Sequence, residues 1–264
     1  MNRLLTPEAR ESLLAAWHRE KGLSGNALKI IACIFMFFDH LSQGVALNSL
    51  DFTPTYIAND WGLPILSGLP KAELLAMLAT MAGRIAFPIF CFFLVQGVLL
   101  SGDYKKQIQR LLLFALIAEV PFDLGLFGQV FYWDHQNVLF ELALGAATIV
   151  GIKKILDGDR KRKQLYAVGL FIAAAILAEV LKFDYGLAGI IAMVLFYLAC
   201  NDRRRTMMMG IFAFLFEAPL YGTVYLSLPL IYQYNGKRGR GGRWFFYIFY
   251  PAHLLALYLL SLWI

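Results

Sequence analysis

Charged residues are scarce in this chain: they make up 16% of its 264 residues, whereas hydrophobic residues make up 59%. Cysteine is also rare, and the three cysteines lie in or beside apolar runs, so they form no framework for disulfides. The sequence has no recognisable repeat or long polar domain, and we expect no cleavable signal. These features exclude a soluble globular enzyme, and the mean hydropathy of +0.61 indicates an integral membrane protein.

Apolar runs long enough to cross a bilayer recur along the whole sequence. We predict an all-α, polytopic membrane protein with about nine transmembrane helices. The predicted spans are 27–46, 81–100, 107–126, 136–152, 164–181, 185–200, 206–220, 222–235 and 244–263. The eighth is short and leaves open whether it spans, re-enters or lies at the surface. The stretch 62–80 contains Lys71 and Glu73, and we expect it at the outer surface.

The basic residues of the loops predict an orientation. Lysine and arginine accumulate in cytoplasmic loops, and with nine spans all basic clusters fall on one side. This places the amino terminus in the cytoplasm and the carboxyl terminus outside a bacterial plasma membrane. The net charge of +6 then reflects topology, so we expect the lipid bilayer, and no nucleic acid, as a partner.

Two regions of unequal size follow from these patterns. Thr6 and Pro7 are typical of a helix start, and we predict that residues 1–26 form a cytoplasmic interfacial helix. Residues 27–264 form a single transmembrane domain in this interpretation.

Lys29 and His40 lie on the same predicted helix. Eleven residues at about 100° each return to within about 20° of the starting direction, and they rise about 16 Å along the axis. A titratable imidazole inside a membrane is costly and usually functional. The pair therefore predicts a path from a cation at the cytoplasmic interface to a base within the bilayer.

Other polar residues within the predicted spans indicate a polar cavity open to the outside; they include Asp39, Arg84, Asn137, Glu141 and His253. Two choices stay open at this level. Arg84 either neutralises Asp39 between two helices or contacts a substrate. His253 either forms a second polar wall or packs through a hydrogen bond. We predict no metal site.

Four segments, taken in order and spacing, resemble the TraX family. They are Leu28–Ile31 with Phe38–His40, Gly83–Phe90, Asn137–Leu142 and Tyr250–His253, and the resemblance extends from about residue 26 to about residue 260. The family is named for a conjugal-transfer protein implicated in acetylating the amino terminus of pilin. It is similar in turn to transmembrane acyltransferases of the acyltransferase-3 type, in which a basic residue and a later histidine mark the first helix.

This resemblance implies an acetyltransferase that uses acetyl-CoA from the cytoplasm. The acceptor would lie outside, as a pilin-like amine or a sugar. Lys29, Arg110 and Arg243 would then bind the donor's phosphates, and His253 would be a further donor-binding residue.

His40 would be the general base and would return a proton to the leaving thiolate. Arg84 or Asn137 would stabilise the oxyanion or position the acceptor. Asp39 and Glu141 complete the expected catalytic group. Direct transfer to the acceptor is favoured over an acetyl-histidine intermediate, which would have to survive near water.

Two other functions fit part of the pattern. A secondary transporter would also place polar groups at mid-depth, but such proteins usually contain repeats or paired interrupted helices, and the sequence has neither. A non-enzymatic assembly factor for pili or secretion would use the polar cluster only to hold helices together. Release of CoA from acetyl-CoA distinguishes the enzyme from a transporter. For an assembly factor, His40→Ala should impair folding or assembly and leave no separate chemical defect.

Overall fold

Helices form the regular structure of the computed structural model, which describes residues 3–46, 71–159, 161–215 and 222–263. They are α1 (Pro7–Trp17), α2 (Gly25–Leu41), α3 (Lys71–Gly83), α4 (Ala86–Leu100), α5 (Tyr104–Phe127), α6 (Val138–Asp157), α7 (Lys163–Val180), α8 (Gly186–Ala199), α9 (Arg203–Ala213), α10 (Ser227–Tyr232) and α11 (Arg243–Ser261). A π-helical turn, Ser42–Ala46, extends α2, and a 3₁₀ turn, Gly222–Leu226, precedes α10. The predicted all-α fold is confirmed.

Four helical segments are long and apolar enough to cross a membrane: Gly25–Gly44, Lys71–Leu100, Lys163–Val180 and Trp244–Ser261. Helices α5 and α6, with 24 and 20 residues, also have the length that a hydrocarbon core of about 30 Å requires. They carry buried acidic side chains, which lowers their hydropathy. The total of nine spans stays a prediction.

The region expected to hold the second span differs in detail from the prediction. Helix α4 begins at Ala86, and a turn at Arg84 and Ile85 joins it to α3. Residues 71–80, expected at the outer surface, form most of α3, which packs against α2 and its π turn. The hydroxyl of Ser42 donates to the carbonyl of Ala76 at 2.6 Å. Residues 62–70 lie outside the described part of the chain.

The last third of the chain also departs from the predicted bounds. The predicted span 206–220 corresponds to α9, which ends at Ala213, and residues 216–221 lie outside the described part of the chain. The predicted span 222–235 consists of the 3₁₀ turn and α10, and α10 has only six residues. At 1.5 Å per residue α10 rises about 9 Å, too little to cross a bilayer alone.

Polar caps explain where several helices begin. The side chains of Thr6, Ser24, Asp103, Asn137 and Asp202 each accept a hydrogen bond from a backbone N–H in the first turn of the following helix. Thr6 and Pro7 start α1 as predicted. Helix α1 docks on the bundle, because Leu13 and Trp17 are buried and the Trp17 indole donates to the carbonyl of Cys200 at 2.7 Å.

Helix α4 forms the centre of the bundle. It is apolar on nearly every face and packs against α2, α6, α8 and α10. Cys33, Cys91 and Cys200 are buried and free, as the sequence predicted. The central helix and its neighbours α2 and α6 define the space in which the cavities lie.

Candidate active site

A cavity of about 280 Å³, which we call the histidine cavity, lies where α2, α4, α5 and α6 meet the turn before α8. Its polar lining consists of Asp39, His40, Gln43, Arg84, His135, Asp184, Tyr185 and Tyr250. Three of the residues predicted from the sequence, Asp39, His40 and Arg84, therefore meet in one place. The volume is near the lower end for ligand pockets, so only a small part of a substrate fits.

His40 is buried against His253 of α11. Its Nδ1 lies 2.7 Å from Nε2 of His253, and Nδ1 of His253 lies 2.8 Å from the carbonyl oxygen of Phe249. The two imidazole rings are nearly parallel, at 10°, with centroids 5.0 Å apart. With so short a nitrogen–nitrogen distance, this geometry places the rings edge to edge in almost one plane.

This chain of hydrogen bonds fixes the tautomers of both neutral rings. The Phe249 carbonyl can only accept, so Nδ1 of His253 carries a hydrogen and its Nε2 accepts. Nδ1 of His40 must then donate to His253, which leaves Nε2 of His40 as the nitrogen that can take a proton. His253 lines neither of the cavities described here. Its hydrogen-bonded packing role, one of the two open alternatives, is the one that the structure shows.

Asp39 and Arg84 come together through a close approach of α3 to α2. Asp39 accepts a hydrogen bond at 2.6 Å from Gln43, which lies in the π-helical turn that extends α2. A Cβ atom at Gly83 would lie 2.2 Å from Cβ of Asp39, so only glycine fits there. The next residue, Arg84, enters the histidine cavity, and its guanidinium lies 5.8 Å from the ring centre of Tyr185.

A second space of about 450 Å³, which we call the basic cavity, lies at the other end of α2. Its charged lining residues are Lys29, Arg110 and Arg238. The Lys29 ammonium lies 5.1 Å from the Phe93 ring centre and 5.3 Å from that of Phe246. These rings hold the cation at the wall of the cavity through cation–π contacts.

Two buried donors in the basic cavity have no hydrogen-bond partner among the described residues. They are Nε2 of Gln96, a residue only 4% exposed, and Nε of Arg110. Buried donors are normally paired with protein, water or ligand. Together with the cations, they make this cavity suitable for an anionic ligand with several acceptor oxygens.

The basic loop before α11 is held against the start of α2. The backbone N–H of Gly25 donates to the carbonyl of Lys237 and that of Asn26 to the carbonyl of Arg238, both at 2.8 Å. The Asn26 side chain also donates to the carbonyl of Arg240 at 2.9 Å. These bonds place Arg238 at the basic cavity. Helix α11 begins at Arg243, whose side chain lies outside the described part of the structure.

The two cavities share a wall. Phe90 of α4 and Leu142 of α6 line both spaces. Lys29 and His40, on the unbroken helix α2, line one cavity each. The predicted path along this helix therefore corresponds to two cavities with an apolar partition between them.

Asn137 and Glu141 line neither cavity. The Asn137 amide donates to the carbonyl of Ala115 and to the Glu119 carboxylate, and its oxygen accepts from the backbone of Leu139. Both amide hydrogens are thus used, so no donor remains for an oxyanion. Asn137 caps α6, and we exclude it from the proposed catalytic group.

Glu141 supports the cavity from behind. It is fully buried, and its carboxylate accepts a hydrogen bond from the backbone N–H of Tyr185 at 2.8 Å. The Tyr185 ring in turn stacks on Phe87 with 3.5 Å between centroids. A Cβ atom at Gly189 would lie 1.9 Å from Glu141, so α8 approaches closely here. The structure indicates that Glu141 positions the wall of the cavity.

Sequence reasoning missed His135, Asp184, Tyr250 and Arg238. His135 and Asp184 are 49 residues apart in separate loops, yet they form a 2.9 Å hydrogen bond at the histidine cavity. The scarcity of histidine, four in the whole chain, was the one signal available for His135. Loop pairing across this distance has no periodic pattern that would predict it.

Comparison with known proteins agrees with the resemblance noted in the sequence. The family model described as TraX protein matches residues 24–261. The chain belongs to the TraX family. Within the curated proteins, it is 30% identical over 199 residues to a protein of Dichelobacter nodosus described as "Probable fimbrial assembly protein FimC, serogroup H1". The match covers 66% of this chain and 79% of that relative. No solved structure matches the chain.

Proposed function

We propose that this TraX-family protein is a membrane acetyltransferase of a pilus system. It moves an acetyl group from cytoplasmic acetyl-CoA to an acceptor on the outer side, for which the family resemblance favours the amino-terminal amine of a pilin. The observation that carries the proposal is the shared wall. A cavity with cations and unpaired donors adjoins a cavity that contains a buried histidine base.

The basic cavity is the donor side in this proposal. Lys29, Arg110 and Arg238 supply positive charge for the nucleotide phosphates, and arginine also matches phosphate oxygens with paired donors. The slender arm that carries the thioester passes between Phe90 and Leu142 to reach the histidine cavity. The CoA group itself remains on the cytoplasmic side.

His40 acts as the general base. The acceptor nitrogen attacks the thioester carbonyl, and Nε2 of His40 takes a proton from that nitrogen. The carbon–sulfur bond then breaks, and the thiolate receives the proton from His40, so the ring returns to its starting state. Arg84, which lines the same cavity, stabilises the negative charge that develops on the carbonyl oxygen.

An acetyl-CoA binding and turnover experiment tests the proposal. Purified protein in lipid nanodiscs would be given labelled acetyl-CoA with a peptide that has a free amino terminus. Lys29→Met should weaken donor binding by about tenfold or more, since it removes a phosphate-binding cation. His40→Gln should bind the donor as the wild type does but release no CoA above background. His18→Gln, on the exposed end of α1, serves as the matched histidine control.

Well-folded wild-type protein that binds no acetyl-CoA would exclude this donor. Donor binding without any CoA release in the presence of amine or sugar acceptors would instead favour a transporter.

The name of the Dichelobacter nodosus relative favours a second candidate, a non-enzymatic assembly role. Under that candidate the buried histidines only hold helices together. His40→Gln would then lower pilus assembly in proportion to protein level, with no separate chemical defect. Acetylation of the surface pilin, measured by mass spectrometry, distinguishes the two.

A further inference from the structure

His135 and Asp184 line the same cavity as His40, but they come from two loops and not from α2. His135 lies in the loop between α5 and α6, and Asp184 lies in the turn before α8. Nε2 of His135 is 2.9 Å from Oδ1 of Asp184. With a neutral ring, Nε2–H donates to the carboxylate, which leaves Nδ1 to accept a proton.

The residues on either side of His135 also join the two loops, and we call their contacts with Lys182 the clasp. Asp134 forms an ion pair with Lys182, and the backbone N–H of Gln136 donates to the carbonyl of Lys182 at 2.9 Å. The ring of His135 also stacks on Phe122 of α5, with centroids 5.8 Å apart. These contacts hold His135 in place. They would join the two loops even without a His–Asp pair, so they do not explain why such a pair lines a cavity.

An amine acceptor requires two proton transfers where a hydroxyl requires one. An α-amino group has an ordinary pKa near 8, so at neutral pH it arrives largely as ammonium, which has no lone pair for attack. One proton must leave before attack, and a second must leave when the new carbon–nitrogen bond has formed. His40 serves the second transfer and then passes its proton to the leaving thiolate, so the first transfer has no assigned group within the cavity.

We propose that the His135–Asp184 pair removes the first proton from an ammonium acceptor. This step rests on the proposed function. The R–NH₃⁺ group gives a proton to Nδ1 of His135, yielding R–NH₂ and an imidazolium beside the Asp184 carboxylate. The imidazolium later releases the proton to water, for which it has access because its side chain is 35% exposed. The cavity's small volume keeps the acceptor within reach of both histidines.

The charges around His135 suit this role. Asp184 faces it directly, Glu119 and Asp123 face it from α5, and Arg84 faces it from the turn before α4. The hydrogen bond that His135 donates to the Asp184 carboxylate raises the pKa of His135, although burial and Arg84 oppose this. A raised pKa brings the imidazole closer in acidity to an α-ammonium group, so the proton transfer costs less free energy.

Measurement of the pH profile of acetyl transfer tests the proposal. The probes are two dipeptide amides with free amino termini, one with an ordinary amine and one whose amine has a pKa near 6. For the ordinary amine, His135→Gln and Asp184→Asn should lower kcat/KM at pH 7 by up to about tenfold, because only about a tenth of the amine is neutral at that pH. The loss should shrink above pH 9, where the amine has already lost its proton. For the weakly basic amine, both variants should approach the wild type at pH 7.

Asp134→Asn is the matched control, because it breaks the ion pair of the same clasp without touching the cavity. Its profile should follow the wild type. Losses in His135→Gln and Asp184→Asn that are equal at every pH and for both amines would show a purely structural role and overturn the inference. If the wild type transfers acetyl and both variants have its pH profile, the inference is overturned as well, while the proposed function stands. A wild type that acetylates neither amine would overturn both.

Discussion

His253 lies directly behind His40, with 2.7 Å between Nε2 of the first and Nδ1 of the second, although 213 residues separate them in the chain. The Phe249 carbonyl anchors the other nitrogen of His253. Each ring therefore has a defined tautomer. The arrangement orients the base in the way that a carboxylate orients histidine in hydrolases, but without a buried negative charge.

Replacing His253 with phenylalanine should lower acetyl transfer while leaving donor binding unchanged. Phenylalanine retains a planar ring but removes the acceptor for Nδ1–H of His40, so the tautomer and orientation of His40 are no longer fixed. We expect a loss in kcat on the order of 100-fold, comparable with the loss of other orienting partners. CoA release and labelled acetyl-CoA binding measure the two effects separately. A variant with wild-type kcat would show that the second histidine is dispensable.

Enlarging Phe90 should close the path between the two cavities. Phe90→Trp adds a bulkier ring to the wall that both cavities share, so the thioester should no longer reach His40. We expect acetyl transfer to fall by about tenfold or more, since small misplacements of reacting groups are costly. Binding of adenosine 3′,5′-bisphosphate, which lacks the arm, should be unchanged.

Phe90→Leu is the control for this wall, because it keeps an apolar side chain without the ring. It should retain most of the transfer activity. Equal activity in Phe90→Trp and the wild type would place the donor's path elsewhere.

Gly83→Ala should destabilise the fold. The added Cβ atom would lie 2.2 Å from Cβ of Asp39, and both belong to packed helices that cannot easily separate. We expect a cost of about 1–3 kcal/mol, as for other overpacked sites. Gly169→Ala in α7 is the matched control: no atom lies within 4 Å of its added Cβ atom, and alanine favours the helix. Thermal unfolding in detergent should give a lower Tm only for the first.

The His135–Asp184 pair should contribute stability that depends on pH. Because the hydrogen bond that His135 donates to Asp184 raises the pKa of His135 in the folded protein, the contribution is full below the ordinary histidine pKa. It is lost as pH rises through the raised value. Asp184→Asn should therefore lower Tm more at pH 6 than at pH 8.5. Equal decreases at both values would show that the charged pair does not stabilise the fold.

Glu141→Gln should preserve most acetyl transfer, because glutamine keeps an oxygen that accepts the hydrogen bond from Tyr185. We expect kcat/KM within about threefold of the wild type, since a neutral acceptor replaces a charged one. Glu141→Leu removes the acceptor and should lower both Tm and activity. A large loss in Glu141→Gln without a change in Tm would return Glu141 to the catalytic group.

The sequence predicted the membrane class and the helical fold correctly, because hydropathy and helical periodicity are properties of one continuous segment of the chain. It also predicted that Lys29 and His40 share one helix, and the structure confirms the unbroken α2. Its assignment of Asn137 and Glu141 rested on a shared helix face. That face packs against α5 and α8, so helical spacing placed them correctly on α6 but could not distinguish buried support from cavity lining.

The amino-acid sequence by itself determined which polar residues lie inside apolar helices and which helix carries both a cation and a base. Tertiary structure decided which of those groups meet. It brought His253 to His40, Arg238 to Lys29, and His135 to Asp184, and it placed Phe90 between two cavities. These contacts join segments far apart in the chain, and they depend on how helices and loops pack in three dimensions, which no local periodicity encodes.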